Sequence, residues 1–173
     1  MTADQSLKAY LSKYDPGIEK IWREALAAMR KLLPGAIELV YDNYNALAIG
    51  FAPTERASDV VLSVALYPRW VSLFFFGGSA LADPDRRLKG SGSRVRHIVL
   101  EDGAATLGEP AVLDLIRQAI ARADPPLPQS GKRRIIIKSV SARQRPRRPA
   151  KMGSSRPRTA VPRSPKHRTS ARR

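Results

Sequence analysis

Apolar residues recur at helical spacing in three stretches of the chain. The first runs from Leu7 to Tyr14, and the second follows Asp15-Pro16, an N-cap residue before a proline at the first helical position. Pro34-Gly35 ends this second helix. The third begins at Glu109-Pro110 and ends at the proline-rich residues 124–128. The pattern therefore predicts two N-terminal helices and one C-terminal helix.

Between these helices, β-branched, aliphatic and aromatic residues form short runs separated by turn formers, which is typical of an antiparallel meander. The runs predicted to be strands are residues 37–41, 46–52, 59–67, 70–76 and 94–100. Residues 133–140 are predicted to be either one more strand or a tether lying on the domain. Strands bracketed by helices indicate an α+β fold. We therefore expect the helices to pack on an antiparallel sheet of about five strands.

The charge divides the chain into two parts. All fifteen Asp and Glu residues lie between Asp4 and Asp124, where fifteen Lys and Arg residues balance them. The other Lys and Arg residues follow and account for the net charge of +16. From Ser141 onward the chain has no Leu, Ile, Phe, Tyr or Trp, so it has too little apolar surface to offset its conformational entropy. The prediction is a folded domain over residues 1–140 and a disordered basic tail over residues 141–173.

A polycationic tail of this kind attracts the phosphates of DNA or RNA, with an affinity that falls steeply with salt. It has no aromatic residue for base stacking and no amphipathic apolar face for a membrane surface. A purely solubilising tail, or one that contacts anionic membrane, remains an alternative. The candidate nucleic-acid contacts are Arg145, Arg147, Arg148, Arg156, Arg158, Arg163, Lys166 and Arg168.

A glycine-rich segment, Lys89 to His97, is the first candidate site in the domain. It combines a flexible turn with hydroxyls, cations and the single histidine before the tail, a set that suits a carboxylate or phosphate. It does not have the P-loop pattern. A solvated hairpin with a charged edge strand is the alternative, and a lone histidine such as His97 is usually a hydrogen-bonded core or boundary residue. The candidate contacts here are Lys89, Ser91, Arg94, Arg96 and His97.

The second candidate site combines a polar turn with later aromatic residues. Tyr41, Asn43 and Tyr44 belong to the turn, while Tyr67 and Arg69 come from a later hairpin that also holds Trp70. Aromatic rings with amides and an arginine could line a small-ligand pocket. Because Asp and Asn are ordinary turn formers, a purely structural turn is the alternative.

Several functions find little support in the composition. The chain has no cysteine and only two histidines, so thiolate metal sites, Cys nucleophiles and His-dependent triads have few or no residues to use. No catalytic constellation is visible, and we expect a non-enzymatic protein without a cofactor. The N-terminal residues lack an apolar signal core, and no apolar run is long enough to span a bilayer. These features favour a soluble cytoplasmic protein.

Three segments in order resemble the YdhG-like family of domains of unknown function: residues 38–44, 66–75 and 90–98, between amphipathic helices. The resemblance covers residues 5–123 and implies a compact α+β domain. Some members are described as intracellular iron chaperones with a frataxin-like role, so iron is a possible cargo although no metal ligands can be assigned here. The leading hypothesis is a domain that binds a small ligand, an anion or a protein partner. The alternatives are an iron chaperone and a nucleoid-associated accessory protein.

Overall fold

The computed structural model describes residues 1–148. These residues form four α-helices, six β-strands and two short 3-10 turns, at Ala57–Asp59 and Gly78–Ala80. In chain order the elements are α1 (Ala3–Leu11), α2 (Pro16–Leu32), β1 (Ile37–Asp42), β2 (Leu47–Ala52), β3 (Leu62–Leu66), β4 (Val71–Phe75), β5 (Arg96–Val99), α3 (Ala104–Gly108), α4 (Pro110–Ala121) and β6 (Arg134–Val140).

Local capping fixes where the first two helices begin. Thr2 and Gln5 form a reciprocal capping box, in which the Gln5 N–H donates to Thr2 Oγ1 and the Thr2 N–H donates to Gln5 Oε1. At α2 the Gly17 N–H donates to Asp15 Oδ1 at 2.9 Å, and Pro16 occupies the first helical turn. The predicted start of the second helix at Asp15-Pro16 is therefore confirmed.

The α+β fold class is confirmed, but the sheet differs from the prediction in strand count and direction. It has six strands in the order β5-β4-β3-β2-β1-β6, and β6 runs parallel to β1 while every other pair is antiparallel. The chain returns from α4 beside Gly35, where a Cβ would lie only 2.4 Å from the Pro128 carbonyl oxygen. β6 therefore begins next to the start of β1 and runs parallel to it.

The hydrophobic core lies between the helices and one face of the sheet. The cross-strand row Val40, Ile49, Val64, Leu73 and Ile98 packs in the same buried cluster as the helices. Trp22 and Met29 of α2 are buried in this core. Residues that alternate with this row, among them Tyr41, Phe74 and His97, belong to the opposite face.

The ordered chain continues beyond the predicted domain end at residue 140. Residues 141–148, named the strap here, cross the end of the sheet where β1 and β6 finish. The Ser141 N–H donates to the Asp42 carbonyl at 2.9 Å, and the Arg145 N–H donates to the Tyr44 carbonyl at 2.9 Å. The domain therefore extends at least to Arg148, and the prediction of disorder fails for residues 141–148. The rest of the predicted tail, residues 149–173, lies outside the described residues.

None of the helices within residues 1–148 is long and apolar enough to cross a membrane.

Candidate functional site

The strap and two hairpin turns enclose a cleft of about 560 Å³ at one end of the sheet. The β1–β2 turn and the β3–β4 turn lie at this end because both pairs of strands are antiparallel. We name it the aromatic–arginine cleft. Its lining residues are Asn45, Tyr67, Pro68, Arg69, Trp70, Arg145, Pro146 and Arg148.

The β3–β4 hairpin provides the aromatic wall of the cleft. The Tyr67 N–H donates to the Trp70 carbonyl at 2.9 Å, which closes a tight turn through Pro68 and Arg69. The turn brings the two rings together with their centroids 4.9 Å apart and an interplanar angle of 18°. Trp70 nevertheless remains 45% exposed. The hairpin therefore presents a rigid stacked aromatic pair to solvent.

The strap provides the cationic wall. The Arg145 guanidinium lies over the Tyr44 ring, with Cζ 5.8 Å from the ring centroid. Arg148 donates from Nε to the Tyr14 carbonyl at 3.1 Å and from Nη2 to the Ser12 carbonyl at 3.2 Å. Both guanidiniums belong to exposed residues. Carbonyl acceptors fix the position of Arg148 without neutralising its charge.

Among residues 1–148, three arginines line the cleft and no carboxylate does. Within the described residues, Arg69, Arg145 and Arg148 form no salt bridge. Their guanidinium charges are therefore uncompensated at the mouth of a partly aromatic cleft. Such an arrangement can bind an anionic group and a flat ring at the same time.

Arg147 differs from its neighbours because it is buried. Its Nη2 lies 2.8 Å from Oδ1 of Asp42, a residue with no solvent exposure, and it also donates to the carbonyls of Asn43 and Tyr44. Its guanidinium lies 5.4 Å from the centroid of the Tyr14 ring. Lys13 holds the other Asp42 oxygen at 3.1 Å. Arg147 therefore fastens the strap to the domain, and its predicted contact with nucleic acid is corrected because its charge is enclosed.

One hydrogen-bonding group of this ion pair has no partner. Nε of Arg147 is buried without an acceptor among the described residues. Burying a charge with an incomplete set of hydrogen bonds is costly, so the strap depends on the Asp42 carboxylate for its placement. Asp42 is the feature of the sequence from which this attachment could have been predicted. A charged side chain at the end of a buried strand requires a cationic partner.

The glycine-rich segment lies at the opposite end of the sheet, because β5 begins beside the last residue of β4. Gly90 has a positive φ of 112°. Paired backbone hydrogen bonds join Lys89 to His97 and close the loop formed by residues 90–96. Arg96 Nη1 donates to the Gly92 and Val95 carbonyls. Two carbonyl oxygens of this turn are thus occupied by its own arginine.

The other residues predicted with this segment are dispersed. His97 is half-buried and stacks on Phe74, with ring centroids 5.3 Å apart, on the sheet face away from the helices. Lys89 Nζ lies 3.9 Å from Glu101. Ser91 is exposed. Arg94 lines a separate cleft of about 610 Å³ near the end of α4.

The second predicted cluster is only partly assembled. Tyr67 and Arg69 line the cleft. Tyr44 does not line it, but its ring contacts the guanidinium of Arg145, which does. Tyr41 belongs to the sheet face away from the helices, where its hydroxyl is buried without a partner among the described residues and burial raises its pKa. Asn43 contributes its carbonyl to Arg147. The sequence did not indicate that Arg145, Pro146 and Arg148 would join the aromatic residues.

The remaining predicted tail contacts, Arg156, Arg158, Arg163, Lys166 and Arg168, lie outside the described residues. Within residues 1–148, no three His, Asp or Glu side chains lie close enough together to hold a metal ion. Comparisons with family models, curated proteins and solved structures found no match. The resemblance to the YdhG-like family therefore stays a prediction.

Proposed function

We propose that this protein binds nucleic acid without catalysis, through the aromatic–arginine cleft together with the basic residues of positions 149–173. The observation that carries the proposal is the position of Arg145 and Arg148. The strap holds both arginines beside Arg69 and the Tyr67–Trp70 stack, with no carboxylate in the cleft. The described part of the chain therefore ends, at Arg148, beside a cleft that suits phosphate and base.

The charge of the remaining chain supports the same partner. Residues 149–173 contain eight Lys and Arg residues and no Asp or Glu. Each cation that neutralises a phosphate releases a condensed counterion, so affinity falls linearly with salt on logarithmic axes. We expect binding with little sequence preference, because arginine and lysine contacts to phosphate carry no direct sequence information.

The test compares the full chain with residues 1–148 across a salt series on DNA and RNA. The shorter chain ends at Arg148 because a chain ending at residue 140 would lose the buried Arg147–Asp42 pair. We expect the full chain to have the steeper salt slope, since eight cations are removed with the tail. Residues 1–148 should retain weaker binding through the cleft.

A substitution pair tests the cleft itself. Arg69→Gln with Arg145→Gln should weaken binding of the full chain and flatten its salt slope by about two. The matched control is Arg94→Gln with Arg122→Gln, which removes two exposed arginines from the cleft near α4. Absence of binding by the full chain, or equal weakening by both pairs, would contradict the proposed function.

A second candidate function is the binding of a small anion with an apolar body, supported by the cleft near the end of α4. This cleft has a volume of about 610 Å³ and a largely apolar lining that includes Phe76 and Leu81. Two arginines, Arg94 and Arg122, also line it, together with two carboxylate residues, Asp59 and Asp124. The Arg94→Gln, Arg122→Gln pair would then abolish the thermal stabilisation produced by an alkyl or aryl carboxylate. Iron delivery, in contrast, is suggested only by the family resemblance.

A further inference from the structure

We infer that the aromatic–arginine cleft takes an unpaired base, so that the protein prefers single-stranded nucleic acid to duplex. The base would stack on Trp70, and its neighbouring phosphates would contact Arg69 on one wall and Arg145 or Arg148 on the other. This inference rests on the proposed function and specifies which form of nucleic acid the cleft recognises.

The first argument is the exposure of Trp70. Tyr67 covers one face of the indole ring at 4.9 Å, yet 45% of Trp70 remains exposed at the cleft. An isolated exposed tryptophan would lose side-chain freedom on stacking with a ligand. Here the tight hairpin and the Tyr67 ring already restrict the indole, so less entropy is lost when a base stacks on it.

The second argument is the arrangement of charge around the ring. Arg69 directly precedes Trp70, whereas Arg145 and Arg148 approach from the strap. A base in a single strand lies between two phosphates, so cations on both sides of an aromatic surface match its backbone. The Tyr44 ring lies beneath the Arg145 guanidinium and so helps to hold this cation at the cleft.

The third argument separates single strands from duplex. In a duplex, the faces of the bases are stacked on each other and unavailable to a side chain, while the phosphates remain accessible. The arginines and the basic tail can therefore contact both forms, but Trp70 can contribute its stacking energy only to an unpaired base. The strand preference should depend on the aromatic side chain and not on the charge.

The experiment measures binding of the full chain to oligothymidylate and to its duplex with oligoadenylate at one salt concentration. Trp70→Ala should lower the affinity for the single strand about tenfold, within the range for loss of one base–aromatic stack, and lower the duplex affinity much less. Trp70→Phe should restore most of the loss because phenylalanine keeps an aromatic face. Arg117→Gln, which removes an exposed arginine of α4 that belongs to neither cleft, is the control.

Tryptophan fluorescence gives an independent readout. The chain has two tryptophans, and Trp22 is only 1% exposed in the core, so quenching by oligothymidylate reports on Trp70. If Trp70→Ala lowers both affinities equally or neither, and quenching is absent, the preference for unpaired bases is wrong although nucleic-acid binding stands. If the full chain binds neither probe, the proposed function fails as well.

Discussion

The two ends of the sheet each combine arginines, aromatic residues and turns, but they use the arginines differently. At the cleft end, Arg147 is buried against Asp42, while Arg145 and Arg148 face solvent beside the Tyr67–Trp70 stack. At the glycine-rich end, Arg96 donates to the Gly92 and Val95 carbonyls of its own turn. Residue type and local spacing therefore do not determine whether a cation is presented to a ligand.

The difference follows from the sequence distance between each arginine and its hydrogen-bond partner. Arg96 is half-buried and bonds to a carbonyl four residues away, so its own turn fixes its position. Arg147 pairs with a carboxylate 105 residues away, and this long-range pair positions the arginines on either side of it. One buried arginine thus provides the attachment, and its neighbours keep their charge available for binding.

The largest effect should come from Arg147→Met, which keeps a long side chain but removes the charge. Asp42 would then be buried with Lys13 as its single cationic partner, and we expect the free energy of unfolding to fall by about 3 kcal/mol. Chemical denaturation of the full chain measures this loss. Affinity for oligothymidylate should also fall, because the strap carries Arg145 and Arg148.

The control for this change is Arg145→Met on the same strap. Arg145 is exposed and forms no salt bridge within residues 1–148, so its replacement should alter the free energy of unfolding by no more than about 0.5 kcal/mol. Equal destabilisation by the two variants would show that the buried pair does not hold the strap. Adding Asp42→Asn to Arg147→Met should recover part of the loss, since it removes the buried carboxylate charge that Lys13 would otherwise balance alone.

Much of the fold could be predicted from the sequence because its signals are local. The N-cap and proline at Asp15-Pro16, the helical spacing that buries Trp22 and the β-rich runs with short turns each depend on neighbouring residues. The direction of β6 could not be predicted in this way. It depends on the close approach of the chain to Gly35, a contact between distant segments.

The candidate site was less predictable for the same reason. Tyr67, Arg69 and Trp70 share one hairpin, and their proximity follows from the turn. The placement of Arg145 and Arg148 depends on a single buried ion pair in a segment whose composition is typical of disorder. Composition correctly shows that the strap lacks apolar residues for a core, but it does not show that a charged side chain can anchor the strap.

A smaller effect is expected at the glycine-rich end from Gly90→Ala. Its φ of 112° lies in a region that L-residues rarely adopt, so alanine should lower the free energy of unfolding by about 1 to 2 kcal/mol. Gly77→Ala is the matched control, because its φ is −107° and a Cβ there would have no atom within 4 Å. Neither change should alter affinity for oligothymidylate, and a loss with Gly90→Ala alone would place ligand binding at this end too.

The smallest effect under ordinary conditions concerns Tyr14, which lies beneath Arg147 and accepts a hydrogen bond from the Leu47 N–H at 2.9 Å. Burial raises the pKa of Tyr14 to about 12, although Arg147 opposes this shift. Below pH 10 the phenol is protonated in both the folded and the unfolded chain, so its stabilising contribution is complete. Between pH 10 and about 12 the unfolded chain loses this proton first, and stability falls as the pH rises.

Tyr14→Phe removes this titration and should reduce the decline in the free energy of unfolding above pH 10. Some decline should remain, because burial also raises the pKa values of Tyr41 and Tyr67. The variant should be less stable at every pH, since the Leu47 N–H loses its acceptor. The decisive quantity is therefore the slope of stability against pH. An unchanged slope would mean that the Tyr14 hydroxyl is hydrated in the folded protein, and that the strap does not exclude water from the groups around Arg147.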